Sequence, residues 1–188
     1  MNRINFTANL IKHTQIPKRI DDDKYAAADV AIVELDKNDK RDVKALYNAS
    51  VLWSDQGAKY ASNIYHEAVK GYEYDDIECE HYLALTEQNS DFKNLESDKI
   101  LGLMLFSASK YDVDQINWLQ VRPNTNSKQS WKREYKGVGA AMINLLKQVN
   151  YNKPINVISA SDAVDFYKKQ GFTNCEDDIP SSLYWGQG

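Results

Sequence analysis

The sequence predicts an α/β domain built on one mixed central sheet with helices on both faces. Three observations carry this. Strand-like and helix-like stretches follow one another in the order β-α-α-β-β-β-α-β-α-β. One run, Ile100 to Ala108, is nearly all apolar, which suits a strand buried on both faces. The stretch Val138 to Asn150 places Val138, Ala141, Met142, Leu145, Leu146 and Val149 on one helical face.

The elements follow in order. Residues 1–28 have weak periodicity and a charge cluster, Asp21-Asp22-Asp23-Lys24. They are expected to form an N-terminal extension with little secondary structure, ahead of a domain over 29–188. Val30 to Leu35 is a short apolar run and the first expected strand. Val43, Leu46, Tyr47 and Val51 recur at helical spacing; Ala61, Ile64, Tyr65, Ala68 and Val69 repeat it before Gly71 offers a stop. Tyr72 to Glu80 carries Glu73, Asp75, Asp76, Glu78 and Glu80 with no basic residue, and reads more readily as a solvated loop than as a magnet for a cationic substrate.

Cys79 to Thr86 alternates as a strand, Ile100 to Ala108 follows, and Val113 to Val121 is the third of the group. Asn89 to Lys99 and Tyr111-Asp112 are the expected turns. A loop covers Arg122 to Lys136, then the helix from Val138 begins. Pro154 to Ala160 is another strand. Ser161 or Asp162 can cap a short helix that Gly171 ends, with Ala163, Phe166 and Tyr167 on its apolar face. Phe172 to Tyr184 returns as one or two strands.

With 188 residues, 43% hydrophobic and 27% charged, the chain fits one globular domain. No stretch of about 18 apolar residues occurs, and no apolar core of a signal peptide follows Met1, so a cytoplasmic location and no membrane partner are expected. Cys79 and Cys175 form no CxxC pair and read as free thiols. His13, His66 and His81 lack ligand spacing, so no metal is expected.

Charge is uneven. Residues 122–153 hold seven basic side chains and one acid, Glu134, within a chain of net charge −4. Such an island suits a local anionic ligand, and equally an ordinary lysine-rich loop. The acidic remainder disfavours nucleic acid as a partner.

Lys136-Gly137-Val138-Gly139-Ala140 opens the helix after the 113–121 strand. Glycines there let backbone N–H groups approach an anion, and the free amides and dipole of a helix start favour a pyrophosphate. Gly-x-Gly by itself also fits a tight loop-to-helix turn. A Rossmann pattern would put its third glycine at Met142, and no Gly-Lys-Ser/Thr follows for a P-loop.

A second segment adds to this. Ala163-Val164-Asp165-Phe166-Tyr167-Lys168-Lys169-Gln170-Gly171-Phe172, taken with Val121-Arg122-Pro123 and Gly137-Val138-Gly139, resembles the GNAT superfamily of N-acetyltransferases, in the right order. Gly102 also sits where that family often has a glycine. The resemblance implies a GNAT-like sheet whose strands splay at the cofactor site. It implies acetyl-CoA as cosubstrate, with pantetheine pairing to the backbone of Leu119 and Val121. Pyrophosphate would rest on the amides of Lys136, Gly137, Val138, Gly139 and Ala140. It implies Tyr167 as the catalytic acid, where position alone favours core packing beside Phe166.

Three departures accompany the resemblance. The motif's Gln/Arg position falls on Glu134, whose carboxylate should point away from a diphosphate. The loop around Trp131 is enlarged, and Ala160 stands where an asparagine is frequent. The base for the incoming amine stays open among Asp114, Glu78, Glu80 and His81. Cys79 and His81 share a strand face, which reads as packing.

The function implied is acetyl transfer from acetyl-CoA to a small-molecule or protein primary amine in a ternary complex. The alternative is a non-catalytic acyl-CoA-binding or protein-interaction module of the same fold. An acetyltransferase acting on charged tRNA is disfavoured by the acidity. The acceptor pocket is expected from residues 50–80, 122–135 and 173–185, with Trp53, Trp118, Trp131 and Trp185 as candidate lining. A homodimer is left open.

Overall fold

The computed structural model describes residues 8–22, 24–71, 76–111, 113–125, 133–150, 153–175 and 181–186. Among these, eight strands form one sheet in the order β1-β2-β3-β4-β5-β6-β8-β7. They are β1 (Asn9–Asp21), β2 (Lys24–Leu35), β3 (Ile77–Thr86), β4 (Ile100–Ser109), β5 (Asp114–Val121), β6 (Ile155–Ile158), β7 (Thr173–Asn174) and β8 (Ser182–Trp185). Every pairing is antiparallel except β5 with β6, so the sheet is mixed, as the element order predicts.

Helices α1 (Lys40–Ser54) and α2 (Tyr60–Lys70) pack on one face, and α3 (Val138–Val149) and α4 (Val164–Lys169) on the other. Strand alternation divides the core between them. Ala31, Val33, Tyr82, Ala84, Leu103 and Leu105 meet α1 and α2. Val30, Ile32, Leu83, Leu85, Met104 and Ile116 meet α3 and α4. β4 is buried on both faces from Ile100 to Ser107, as its unbroken apolar run predicts.

The N-terminal expectation is corrected. β1 and β2 form a hairpin paired from Asp21↔Lys24 to Asn9↔Glu34, so the boundary expected after residue 28 falls inside β2. The polar side chains of β1 hide it from a hydrophobic pattern. Much of β1 is exposed, and only Ile16 on it is fully buried. Residues 1–7 lie outside the described ones.

α1 also differs in its buried face. Asp42, Ala45, Leu46, Ala49, Ser50 and Trp53 turn inward, while Tyr47 and Val51 are exposed. Small alanines let the helix approach the sheet closely, and Trp53 fills the space beneath. That stripe has the period of a helix but is shifted from the one the larger residues suggested. On α2, Ala61, Ile64 and Ala68 are buried as expected and Val69 is not.

Glu78 and Glu80 belong to β3 rather than a loop; Glu73 and Asp75 lie outside the described residues. α4 follows a short 3-10 turn over Ser161–Ala163, and neither turn nor helix has a side-chain cap, so the expected cap at Ser161 or Asp162 does not form.

Candidate active site

The gap between β5 and β6 organises the site. Their parallel pairing is confined to Asp114–Ile116 against Ile155–Val157. Beyond that, the β4–β5 register steps from Leu105↔Trp118 to Phe106↔Ile116, leaving Asn117 as an extra residue. A bulge of this kind bends a strand and raises its twist. β5 therefore turns away from β6 and runs on to Val121 beside β4 alone.

Which backbone groups face the gap follows from strand alternation. Arg122 donates its N–H to Leu101 of β4 at 2.8 Å. Counting back in an antiparallel ladder, Gln120 and Trp118 point their backbone groups at β4, and Val121 and Leu119 point theirs into the gap. The Val121 carbonyl accepts from Gln120 Nε2 at 3.0 Å. The N–H groups of Leu119 and Val121 have no partner among the described residues.

The gap opens on a cleft of about 440 Å³, lined in part by Tyr60 and Glu67 of α2, Trp118 and Leu119 of β5, Ser159, and Tyr167 of α4. That volume lies in the usual range for small-molecule sites, roughly 300–1,000 Å³. Tyr60 and Trp118 stack at 5.3 Å with an interplanar angle of 21° and form one wall. Tyr167 is 5% exposed and sits edge-on to Phe166 and Phe172 at 5.0 and 5.5 Å. Burial, then the Tyr60 phenol, pushes its own phenol well above the ordinary range, so it stays protonated at neutral pH. No hydrogen bond holds its hydroxyl among the described residues.

Two cleft residues carry no sequence signal. Ser159 is 8% exposed, and its Oγ is buried without a hydrogen-bond partner among the described residues. Glu67, on the polar side of α2, has its carboxyl pushed up by burial and then by Glu80, with Lys70 opposing. A serine just past a strand and a glutamate on an amphipathic helix are ordinary placements. Only the folded cleft distinguishes them.

The start of α3 meets the end of β5, where a Cβ on Gly139 would stand 3.7 Å from Val121 Cγ1, while Gly137 and Ala140 line a separate depression with Ile16 and Pro17 of β1. Gly137 takes a left-handed conformation, φ 77°, which a side chain disfavours. The first helical bond is Ala141 N–H to the Gly137 carbonyl at 2.8 Å. The N–H groups of Gly137, Val138, Gly139 and Ala140 have no partner among the described residues. A Cβ on Gly139 would stand 3.0 Å from Phe166 Cζ, so this glycine lets the helix start close on α4. A Cβ on Gly102 would stand 2.8 Å from Val138 Cγ1, which ties the β4 glycine to the same turn.

Lys136 requires a correction. Its N–H donates to the Pro17 carbonyl at 2.9 Å, and its ammonium lies 3.6 Å from the Tyr25 ring centroid. Its amide is thus not open to an anion. Arg19 N–H donates to the Glu134 carbonyl at 2.7 Å, and Lys18 bridges Tyr135. The outer edge of β1 therefore holds the segment that feeds α3. Proline, lacking an N–H, is tolerated on such an edge.

The Glu134 carboxylate accepts from Arg122 Nη2 and Asn124 Nδ2, each at 2.9 Å. These contacts hold it at the end of β5, and it lines a separate depression with Leu52, Trp53 and Asp98.

Of the candidate bases, Asp114 is buried at the start of β5 and accepts from Ser109 N–H at 2.8 Å. Glu80 accepts from Lys37 at 3.1 Å and from Tyr82 at 2.9 Å. His81 contacts Glu34 at 2.6 Å. Asp114, Glu78, Glu80 and His81 are all absent from the cleft lining. Trp53 is core, Trp118 lines the cleft, and Trp185 lies over the Lys147 ammonium. Lys128, Trp131 and Lys132 fall outside the described residues.

No protein-family model matches the chain, and no curated protein matches it. Solved structures of similar fold include the catalytic domain of Tetrahymena GCN5 histone acetyltransferase with coenzyme A: 17% identity, 82% of this chain and 90% of that one, TM-score 0.49. Campylobacter jejuni N-acetyltransferase PseH is 10% identical over 85% of this chain and 99% of its own, TM-score 0.48. Bacillus subtilis N-acetyltransferase YlbP with coenzyme A is 16% identical over 56% of this chain and 67% of its own, TM-score 0.39. The likeness is one of fold, to N-acetyltransferases.

Proposed function

We propose that this protein is a GNAT-type N-acetyltransferase that moves an acetyl group from acetyl-CoA to a primary amine by direct attack in a ternary complex. The observation that carries the proposal is a set of unpaired donors near the parted strands. The Leu119 N–H and the orphaned Ser159 hydroxyl belong to cleft-lining residues, and the free amides of Gly137 to Ala140 begin where a Cβ on Gly139 would stand 3.7 Å from Val121 Cγ1 at the end of β5. This set fits a ligand with a diphosphate at one end and an amide-bearing arm at the other.

Acetyl-CoA supplies the acyl group as a thioester. The amides at the start of α3 hold its diphosphate, helped by the helix dipole. The Leu119 and Val121 backbone lines up the arm as a neighbouring strand would. The Leu119 N–H, fixed by the β4 ladder, is placed to stabilise developing negative charge on the acyl oxygen. Tyr167 holds the proton that the departing thiolate takes.

The acceptor arrives as an ammonium and has to lose a proton. Glu67 faces the cleft with a raised carboxyl pKa, which suits both drawing in the ammonium and taking its proton. The Tyr60–Trp118 wall offers aromatic faces to the same cation.

Thiol release from acetyl-CoA against a panel of primary amines tests the reading. Turnover with at least one amine is expected. Binding of coenzyme A with no turnover on a broad panel would favour the non-catalytic module.

A further inference from the structure

A second cluster lies on β2 and β3, outside the cleft lining. Cys79 Sγ is 3.1 Å from His81 Nε2, and His81 Nδ1 is 2.6 Å from Glu34 Oε1. All three project from the α3/α4 face, in step with Ile32, Leu83 and Leu85. Cys79 is exposed. Its β4 partner, Ala108, is six residues beyond Gly102, the partner of Val121. That spacing puts Cys79 roughly 20 Å along the strand from Val121, while His81 pairs with Phe106, the partner of the cleft-lining Ile116. None of the three residues lines the cleft.

We propose that Cys79, His81 and Glu34 form a separate thiol-activating relay that exchanges with small neutral or cationic disulfides. A nucleophile within hydrogen-bond reach of a base, itself oriented by a third group, is the arrangement that activates weak nucleophiles. A Glu34 carboxylate accepts from His81 Nδ1–H, which leaves Nε2 as the acceptor facing the thiol. Glu34 thus fixes the tautomer that a base needs.

The charges around the cluster set its resting state and its preference. Burial, then Glu78, Glu34 and Asp114, pushes the thiol up, and Lys153 opposes. Cys79 is therefore protonated at rest, and only the thiolate attacks, so the proton must leave through His81. The Glu34 hydrogen bond raises the imidazole pKa against burial, with Asp114 in support. With Asp114 paired to Lys153 at 3.9 Å, Glu78 and Glu34 leave the surroundings negative among the described residues, which repels anionic disulfides and favours cationic ones.

In the step, Sγ attacks one sulfur of R–S–S–R. The new Cys79–S bond forms as the old S–S bond breaks. The thiol proton passes to His81 Nε2 and on to the departing thiolate, which leaves as RSH. The Cys79 sulfur is oxidised, the departing sulfur is reduced, and the disulfide is the oxidant.

The test uses full-length protein carrying Cys175→Ser, so that Cys79 is the only thiol, with mixed-disulfide formation followed by intact mass. Relative to a short cysteine peptide at pH 7.5, cystamine should react faster and the dianionic dithiobis(nitrobenzoate) more slowly. His81→Asn should slow the cystamine reaction about tenfold or more, and Glu34→Gln about threefold or more, if proton transfer matters as in other acid–base relays. Both variants should retain the circular dichroism and coenzyme A affinity of the parent. Unchanged rates in Glu34→Gln and His81→Asn would overturn the proposal, as would peptide-like reactivity with both disulfides. Should His81→Asn fail to fold, the Glu34→Gln rate decides alone.

Discussion

The Lys136 N–H donates to the Pro17 carbonyl at 2.9 Å, joining the edge of β1 to the residue just before the glycine turn. The contact is one of a set. Arg19 binds the Glu134 carbonyl, and the Tyr135 hydroxyl donates to Glu87 at 2.5 Å while Lys18 Nζ lies 3.4 Å from the same carboxylate oxygen. The first strand, remote in sequence, thereby fixes where α3 starts and where its free amides point. Removing residues 1–21 should weaken coenzyme A binding at least tenfold in calorimetry while leaving a helical signal. Unchanged affinity would separate β1 from the site.

Tyr167→Phe removes the proposed acid and keeps the ring between Phe166 and Phe172. Loss of a positioned general acid typically costs about 10²–10⁴-fold. A kcat loss of that order is expected, with coenzyme A affinity unchanged. A full rate would return Tyr167 to a packing role.

Glu67→Gln keeps the shape of the cleft and removes its charge. Both kcat and amine affinity should fall, and the deficit should be smallest at alkaline pH, where the amine is already deprotonated. Steady-state kinetics from pH 6 to 10 read this. A parallel pH profile in both proteins would exclude Glu67 as base.

Gly102→Ala drives a methyl to 2.8 Å from Val138 Cγ1 and 2.9 Å from Met142 Sδ. Overpacking of this kind costs about 1–3 kcal/mol. Denaturant unfolding should show that loss, with weaker coenzyme A binding because α3 is displaced at its start.

Asp42 offers a pH test of the fold. Burial raises its carboxyl from 3.8 to about 6, and its Oδ1 has no hydrogen-bond partner among the described residues. The folded state thus binds the proton more tightly than the unfolded one. Stability falls as pH rises from about 4 to 6, and the penalty persists above that window. Asp42→Asn, whose amide oxygen can still accept from Asp36 N–H, should raise the melting temperature at pH 8 and do little at pH 4. An equal shift at both would contradict the burial argument.

How legible was all this in the sequence? β4 was plain, because an apolar run admits few other placements. α3 was plain from its stripe, and the Gly137 turn from its glycines. The strand β1 was hidden because its stability comes from pairing with β2 and with residues 134–136, not from an apolar face of its own. The exposed Tyr47 and Val51 misled for a related reason: alanines and Trp53 decided the α1 contact. Glu67 and Ser159 line the cleft where β5 and β6 part, and that parting has no residue pattern. The engagement of the Lys136 amide is invisible in the sequence because its partner, Pro17, is more than a hundred positions away.

The central claim is that free amides at the α3 start and along the outer edge of β5 hold the cofactor. Backbone amide shifts during titration with coenzyme A test it most directly. The largest changes are expected at Gly137, Val138, Gly139, Ala140, Leu119 and Val121. Saturable binding that leaves those six amides unmoved, or no binding at all, would contradict it.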